Sequence, residues 1–215
     1  MRRLFSYANG LKPITLALLI SFLVALQPAC NNPASKKNFM EAKSPAVALH
    51  GSTENSIYQL DARWTTQDDQ QIPTKALAGK IQVVAMIFTS CGYACPAIVQ
   101  NMQRIESSLS ANAQAKTHFT LISFDTKTDT PERLRQYAAQ KNLGRNWTLL
   151  HGSDEDVRLM SMLLNVSFSA STGGGFNHAN VITILDQNGA ILQRLEGLEV
   201  NTAEAVQTIE AASIN

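Results

Sequence analysis

The stretch that decides the fold covers residues 81–105 and reads IQVVAMIFTSCGYACPAIVQNMQRI. Its first part, 81–88, is a nearly continuous apolar run, which is typical of a strand buried on both faces. Pro96 suits the first turn of a helix, and apolar residues recur after it at helical spacing. Cys91 and Cys95 therefore lie where a buried strand is predicted to run into a helix.

The rest of the chain continues this alternation of strands and helices. Further strands are predicted at 56–64, 117–124, 147–150, 180–185 and 190–195. Helices are predicted from Thr130, which is a candidate N-cap, from Ser153 and over 201–212. This order predicts an α/β fold with a central mixed sheet flanked by helices. A cysteine pair at a strand–helix junction is the thioredoxin-like arrangement.

The bulk composition indicates one globular domain with appendages. The chain has 215 residues, of which 45% are hydrophobic and 16% charged, and its net charge is +1. This balance excludes a general nucleic-acid-binding protein, and no run of Lys and Arg with interleaved aromatics indicates a basic groove. We therefore expect no nucleic-acid partner.

The N-terminus reads as a targeting segment. Arg2 and Arg3 precede an apolar run at 14–26 that is too short for a comfortable membrane span. The run leads to Cys30, and the pattern resembles a bacterial lipoprotein signal whose cysteine is lipidated. A secretory peptide cut near Ala29 and an uncleaved anchor are the alternatives. All three export the chain to the periplasmic side of a bacterial membrane.

The domain organisation follows from that reading. Residues 1–30 are predicted to be the signal peptide and 31–55, rich in Asn, Ser, Pro, Lys and Ala, a flexible tether. Residues 56–215 are predicted to form the folded domain. We expect the N-terminus to hold this domain at the membrane.

The cysteines and a late histidine are the candidate reactive groups. If Cys30 carries lipid, the remaining thiols are Cys91 and Cys95. Outside the cytosol such a pair can oxidise unless it is reduced, but a disulfide over so short a loop stabilises a fold little. His178 follows a glycine run and precedes an apolar run. Two thiols and an imidazole can bind a soft metal ion. Metal binding and disulfide formation both stay open at this point.

Several motifs in register make the chain resemble a known family. They are FTSCGYACP at 88–96, SFD at 123–125 with DTP at 129–131, WTLLHG at 147–152, FNH at 176–178 and LDQNG at 185–189. With these motifs the chain resembles the Sco/SenC family of thioredoxin-like, copper-binding proteins over residues 56–212. A CxxxC motif alone is weak, whereas CxxxCP after a strand together with Asp-Thr-Pro and a late His is specific.

The resemblance implies a copper site and its ligands. The family's metal ligands fall on Cys91, Cys95 and His178, and the cargo is Cu(I), or Cu(II) as well. The family has Pro after the first Cys where this chain has Gly92, which predicts a looser loop. The implied partner is a cytochrome oxidase subunit, through its Cu-A or Cu-B centre, or another copper acceptor.

Two more residues are expected around the ligands. The family's acidic residue after the third strand corresponds most simply to Asp125, with Asp129 as the less favoured substitute. Tyr93, inside the motif loop, is either a lid over the sulfurs or a packing residue. We also expect residues 169–175 to be the least ordered part of the domain, so that His178 approaches the cysteines only in some states.

The other histidines and the methionines are expected to be structural. His151 is interpreted as structural or solvated, and His118 and His50 as surface or tether residues. Three methionines recur at helical positions and are predicted to lie in the core rather than to bind copper. They are Met102, Met160 and Met162.

Three functions are compatible with such a site. The first is a copper metallochaperone. The second is an exported thiol–disulfide oxidoreductase that reduces partner cysteines and draws on a thiol reductant, and the third is a thiol peroxidase or sensor. All seven prolines lie at or before Pro131. The loop at 176–180, where thioredoxin-type reductases have a cis-Pro, carries a histidine instead. This favours metal binding, and the absence of a Pro-x-x-x-Thr-x-x-Cys pattern disfavours the peroxidase.

Overall fold

The computed structural model describes residues 56–172 and 175–214. The predicted signal peptide, the predicted tether, Cys30 and His50 lie outside the described residues, so the expectations for them stay predictions. Within the described part of the chain, no helix is both long and apolar enough to cross a membrane.

The architecture is a seven-stranded mixed sheet flanked by helices, with a separate two-stranded sheet beside it. The strands are β1 (Arg63–Thr66), β2 (Gln71–Pro73), β3 (Ile81–Ile87), β4 (Thr117–Ser123), β5 (Trp147–His151), β6 (Phe168–Ala170), β7 (Phe176–His178), β8 (Val181–Leu185) and β9 (Ile191–Glu196). The helices are α1 (Ala94–Ser108), α2 (Ala111–Lys116), α3 (Pro131–Gln140), α4 (Asp154–Leu163) and α5 (Thr202–Ser213). The large sheet has the order β2-β1-β5-β4-β3-β8-β9, which confirms the predicted fold class.

The central strand explains the apolar run that opened the sequence. β3 pairs in parallel with β4 and antiparallel with β8, and all seven of its residues are buried. Its polar residue, Gln82, is satisfied inside the core. Its amide donates to the Leu77 carbonyl (2.7 Å) and accepts from the Thr120 hydroxyl (2.9 Å). Burial on both faces is what a continuous apolar strand predicts.

Helices α3, α4 and α5 begin at a capping side chain, as predicted at Thr130, whereas α1 at the cysteine motif does not. Thr130 caps α3, Ser153 caps α4 and Asn201 caps α5, each through its side-chain oxygen. At α1 the N-cap residue is Tyr93, whose side chain makes no capping bond. Instead the Cys95 N–H donates to the Cys91 sulfur at 3.4 Å. The first turn of α1 therefore directs backbone N–H groups at a thiol.

Three local predictions were wrong. The segment 56–64 is not one strand, because the Ser56 hydroxyl caps a 3-10 turn at Ile57–Gln59 and β1 begins only at Arg63. Residues 169 and 170, expected to belong to the least ordered segment, lie in β6, which pairs antiparallel with β7. Met102 and Met160 lie in the core as predicted, but Met162 is 75% exposed.

Candidate metal centre

The two cysteines lie on the loop that leads from the central strand into α1. Cys95 occupies the first turn of the helix and is completely buried, whereas Cys91 precedes the helix and is partly exposed. Neither cysteine forms a disulfide, and the hydrogen bond described above joins the Cys95 backbone N–H to the Cys91 sulfur. One thiol is therefore accessible and the other is enclosed.

The surroundings shift the pKa values of the two thiols in opposite directions. Burial raises the pKa of Cys95 strongly, and the nearby Cys91 adds to this effect. At Cys91 burial also opposes ionisation, but backbone N–H groups of Cys95, Tyr93 and Ala94 outweigh it and hold its pKa below the ordinary value. A helix N-terminus stabilises a thiolate in this way. Cys91 is the readily ionised sulfur, and Cys95 ionises when a cation replaces its proton.

His178 comes to the cysteines from the small sheet. Its Nε2 lies 3.7 Å from the Cys95 sulfur. Its Nδ1–H donates to the Ala179 carbonyl at 3.1 Å, since a carbonyl oxygen can only accept. That bond leaves the Nε2 lone pair free on the side of the sulfurs, as in many metal-binding histidines. The ligand atoms of Cys91, Cys95 and His178 all lie within 4.8 Å of one another.

Aromatic packing places the histidine. β7 carries His178 opposite Phe168 of β6. The imidazole centroid lies 5.1 Å from the ring of Phe124, which follows β4, and 5.9 Å from the ring of Phe88, which follows β3. Phe176 packs on the same two rings at 5.1 and 5.3 Å. In this structure His178 lies beside the sulfurs, and its approach to them only in some states stays a prediction.

The carboxylate that reaches the cysteine loop belongs to Asp129, not to Asp125. Asp129 is completely buried and accepts from the Thr89 N–H (2.8 Å), the Thr89 hydroxyl and the Ser123 hydroxyl (2.7 Å). Asp125 instead accepts from the Thr128 N–H and caps its own loop. The sequence favoured Asp125. The residue that identifies Asp129 as the carboxylate at the site is its hydrogen-bond partner Thr89, 40 residues earlier in the chain. Spacing along the sequence therefore does not show that the two residues meet.

Tyr93 is neither buried nor packed over the sulfurs. Its side chain is 79% exposed, and its contribution at the site is the backbone N–H near Cys91. Gly92 has open space where a side chain would begin, because an added Cβ meets no atom within 4 Å. A side chain at position 92 would therefore meet no steric conflict, and the looser loop predicted from Gly92 stays a prediction.

Two further histidines belong to the fold rather than to the site. His118 lies on β4 and bonds to the Thr148 hydroxyl at 2.8 Å, so it is a partly buried sheet residue and not a surface residue. His151 ends β5, and its Nδ1 is buried without a hydrogen-bond partner among the described residues. Within the described ranges, Cys91, Cys95 and His178 are the cluster that could hold a metal ion.

The site opens into a cavity of about 600 Å³. One wall is the cysteine loop, from Ser90 to Ala94, and the other is the strand that carries His178. Two thiolates and one imidazole are soft ligands that suit Cu(I) and disfavour Mg²⁺ or Ca²⁺, which prefer oxygen. The arrangement can hold a soft cation with three ligands and leave its cavity side open.

Several known proteins are similar to this chain in sequence or in fold. An SCO1 protein homolog of Bacillus subtilis is 29% identical over 153 residues, which cover 68% of this chain and 78% of that protein. The structure of a SCO1/SenC family lipoprotein of Bacillus anthracis matches with a TM-score of 0.64 and 24% identity, covering 72% of this chain and 96% of that one.

A third similarity is to copper-bound ScoI of Bradyrhizobium japonicum, with a TM-score of 0.60, 18% identity and coverage of 70% and 96%. At these identities the two solved structures show a shared, thioredoxin-like fold. The SCO1/SenC family model matches residues 50–213, and the chain therefore belongs to the SCO1/SenC family.

Proposed function

We propose that this protein is a copper metallochaperone that binds one Cu(I) through Cys91, Cys95 and His178. The observation that carries the proposal is the convergence of these three ligand atoms within 4.8 Å. Copper is the cargo, and the soft ligand set is the one that Cu(I) prefers. The copper bound to the related ScoI supports the same choice of metal.

The implied acceptor is a cytochrome oxidase subunit during assembly of its Cu-A or Cu-B centre. A chaperone has to release its ion, and a site with three ligands leaves room for a ligand of the acceptor. Here the open side faces the cavity beside the partly exposed Cys91. Copper would pass by ligand exchange, with the acceptor's sulfur or nitrogen binding before a ligand of this protein leaves.

We also propose that Cys30 is lipidated and holds the domain at the outer face of the cytoplasmic membrane. The support is the apolar run that ends at Cys30 and the similarity to a family member that is a lipoprotein. Mass spectrometry of the mature chain would show a diacylglyceryl cysteine as its first residue. A free N-terminus near residue 30 without lipid would contradict this.

Thiol–disulfide exchange is the second candidate, and the asymmetry of the two thiols favours it. The Cys91 thiolate would attack a partner disulfide and release one partner thiolate. The Cys95 thiolate would then displace the second, leaving a Cys91–Cys95 disulfide and a partner reduced by two electrons. The accessible, low-pKa Cys91 and the buried Cys95 suit these two roles. A thiol reductant would have to restore the pair.

One titration separates the two functions. The reduced full chain should bind about one Cu(I) per molecule. Cys91→Ser and Cys95→Ser should each abolish tight binding, because one thiolate with an imidazole is a poor soft site. His178→Ala should weaken copper binding at least about tenfold, yet leave disulfide formation by the two cysteines intact.

The ligand assignment has a matched control and a clear failure. His118→Ala removes an imidazole from β4, outside the cluster, and should leave the copper affinity unchanged. Equal copper uptake by the wild-type protein and either serine variant would overturn the chaperone proposal. An unchanged affinity in His178→Ala together with normal reduction of partner disulfides would favour the oxidoreductase.

A further inference from the structure

The cysteine loop exposes an aromatic ring at the mouth of the site. Tyr93 lies between the two thiols in sequence and is 79% exposed, and no other described aromatic side chain is exposed. Its ring has no aromatic contact and its hydroxyl no hydrogen bond among the described residues. An exposed aromatic ring is the side chain that most often anchors a protein contact.

The mouth around that ring carries no charged side chain. The described residues that line the cavity are aromatic, small or neutral polar residues, and none is Asp, Glu, Lys or Arg. Arg133 is bound to the Thr89 hydroxyl and lies beside the buried Asp129. A neighbouring cavity shares Ser171, Gly175 and Phe176 with this one, and its charged lining is two acidic and two basic side chains, those of Asp125, Asp154, Lys127 and Arg158. A partner at this mouth therefore meets an uncharged surface.

With Cu(I) bound, the site itself carries only a small net charge that could attract a partner. Two thiolates, one Cu(I) and a neutral imidazole sum to a single negative charge. The backbone N–H groups at the start of α1 point at that charge from the protein side. Because the lining of this cavity is uncharged and the two acidic and two basic side chains of the neighbouring cavity balance, long-range attraction of an oppositely charged partner is weak.

We infer that the surface formed by Tyr93 and the uncharged mouth is the docking site for the copper acceptor, a protein that presents its thiolate or imidazole ligands on an uncharged, partly apolar face. This inference rests on the proposed function. The occupant is a protein rather than a free ion, because an exposed ring beside the ligands contributes nothing to holding copper. A charged acceptor face would find no complementary charge here.

The test is copper transfer from the Cu(I)-loaded full chain to two recipients. The protein recipient is the soluble, reduced, metal-free Cu-A domain of a cytochrome oxidase, and the small-molecule recipient is the chelator bathocuproine disulfonate. Tyr93→Ala should slow transfer to the Cu-A domain about tenfold or more, since aromatic anchors carry much of an interface. Withdrawal by the chelator should be unchanged, because the three ligands remain.

Two variants serve as controls, one for the aromatic ring itself and one for its position at the mouth of the cavity. Tyr93→Phe keeps the ring and should transfer copper at close to the wild-type rate. Met162→Ala removes an apolar side chain that is 75% exposed on α4, away from the mouth, and should have no effect. The wild-type rate should change less than about threefold between about 20 mM and about 500 mM salt.

Three other results would each overturn a specific claim about docking, delivery or the identity of the partner. Wild-type transfer rates in Tyr93→Ala, or a steep fall of the rate with salt, would overturn the docking proposal while the delivery function stands. Failure of the loaded wild-type protein to transfer copper to the Cu-A domain at all would overturn both. Dimerisation that is lost in Tyr93→Ala would assign the surface to a second copy of this chain and overturn the acceptor.

Discussion

The Asp129 carboxylate is a buried charge whose hydrogen-bond donors come from both sides of the site. Thr89 precedes the cysteines, and Ser123 ends β4. Hydrogen bonds to a buried charge contribute more than neutral ones, and a donor left without its acceptor costs free energy. Asp129→Asn should therefore lower the free energy of unfolding by about 2 kcal/mol, measured by urea denaturation.

The matched control is Asp125→Asn, four residues earlier. The Asp125 side chain accepts one backbone N–H at the surface, and an asparagine oxygen can accept the same bond. Its free energy of unfolding should stay within about 0.5 kcal/mol of wild type. Equal losses in the two variants would show that Asp129 does not hold the cysteine loop in the way its contacts indicate.

Residue chemistry was predictable where it depends on type and on nearby spacing. The two thiols and the histidine were chosen because soft ligands at a strand–helix junction suit a soft metal, and the structure brings these three side chains together. Asp129 and the aromatic support of His178 could not be chosen in that way. Their partners, Thr89 and Phe88, are distant in sequence. Thr89 meets Asp129 because β3 pairs with β4, and Phe88 meets His178 because β3 pairs with β8, which directly follows β7.

Among the secondary-structure elements that carry the proposed ligands, the β6–β7 hairpin with His178 is the least stable. Each strand has three residues, and a two-stranded hairpin is marginal in water without packing. Its support is the aromatic contact with Phe88 and Phe124. Local opening of such an element costs less than global unfolding.

Copper should therefore slow hydrogen exchange in this hairpin. When His178 binds a metal that Cys91 and Cys95 also bind, opening β7 requires breaking a ligand bond. We expect exchange at amides of 168–170 and 176–178 to slow at least about tenfold on loading with Cu(I), followed by mass spectrometry. The slowing should vanish in His178→Ala. Identical exchange in the loaded and metal-free wild-type protein would argue that the hairpin has no part in metal capture.

Elements were predictable where one face or a whole strand is buried. The apolar runs at 81–88 and 117–124 became β3 and β4, and the helix starts predicted at Thr130 and Ser153 became the N-caps of α3 and α4. β6 and β7 were missed because only one residue in three is apolar in β7 and the segment between them is rich in glycine and serine. Their pairing depends on rings contributed by other strands, which no local pattern contains.

For the whole molecule, the pH dependence of stability can be traced in part to His118. This histidine lies on β4 and bonds to Thr148 on β5. Burial, with a smaller effect of the Lys80 charge, lowers the pKa of His118 from 6.5 to about 4. The unfolded chain, with a histidine pKa of about 6.5, binds the proton more readily than the folded protein between these values. Protonation therefore favours unfolding.

His118 stabilises the folded protein at neutral pH and loses this contribution in acid. The contribution of His118 is fully present above about pH 6.5 and is lost progressively as the pH falls towards about 4, so that stability declines by roughly 2 kcal/mol between about pH 7 and about pH 4.5. Urea denaturation across this range should show a shallower decline in His118→Gln, whose amide can still bond to Thr148. Lys80→Ala should keep most of the wild-type slope, because burial is the larger cause. If His118→Gln and the wild-type protein lose stability in parallel as the pH falls, the buried imidazole is not the group that responds to acid.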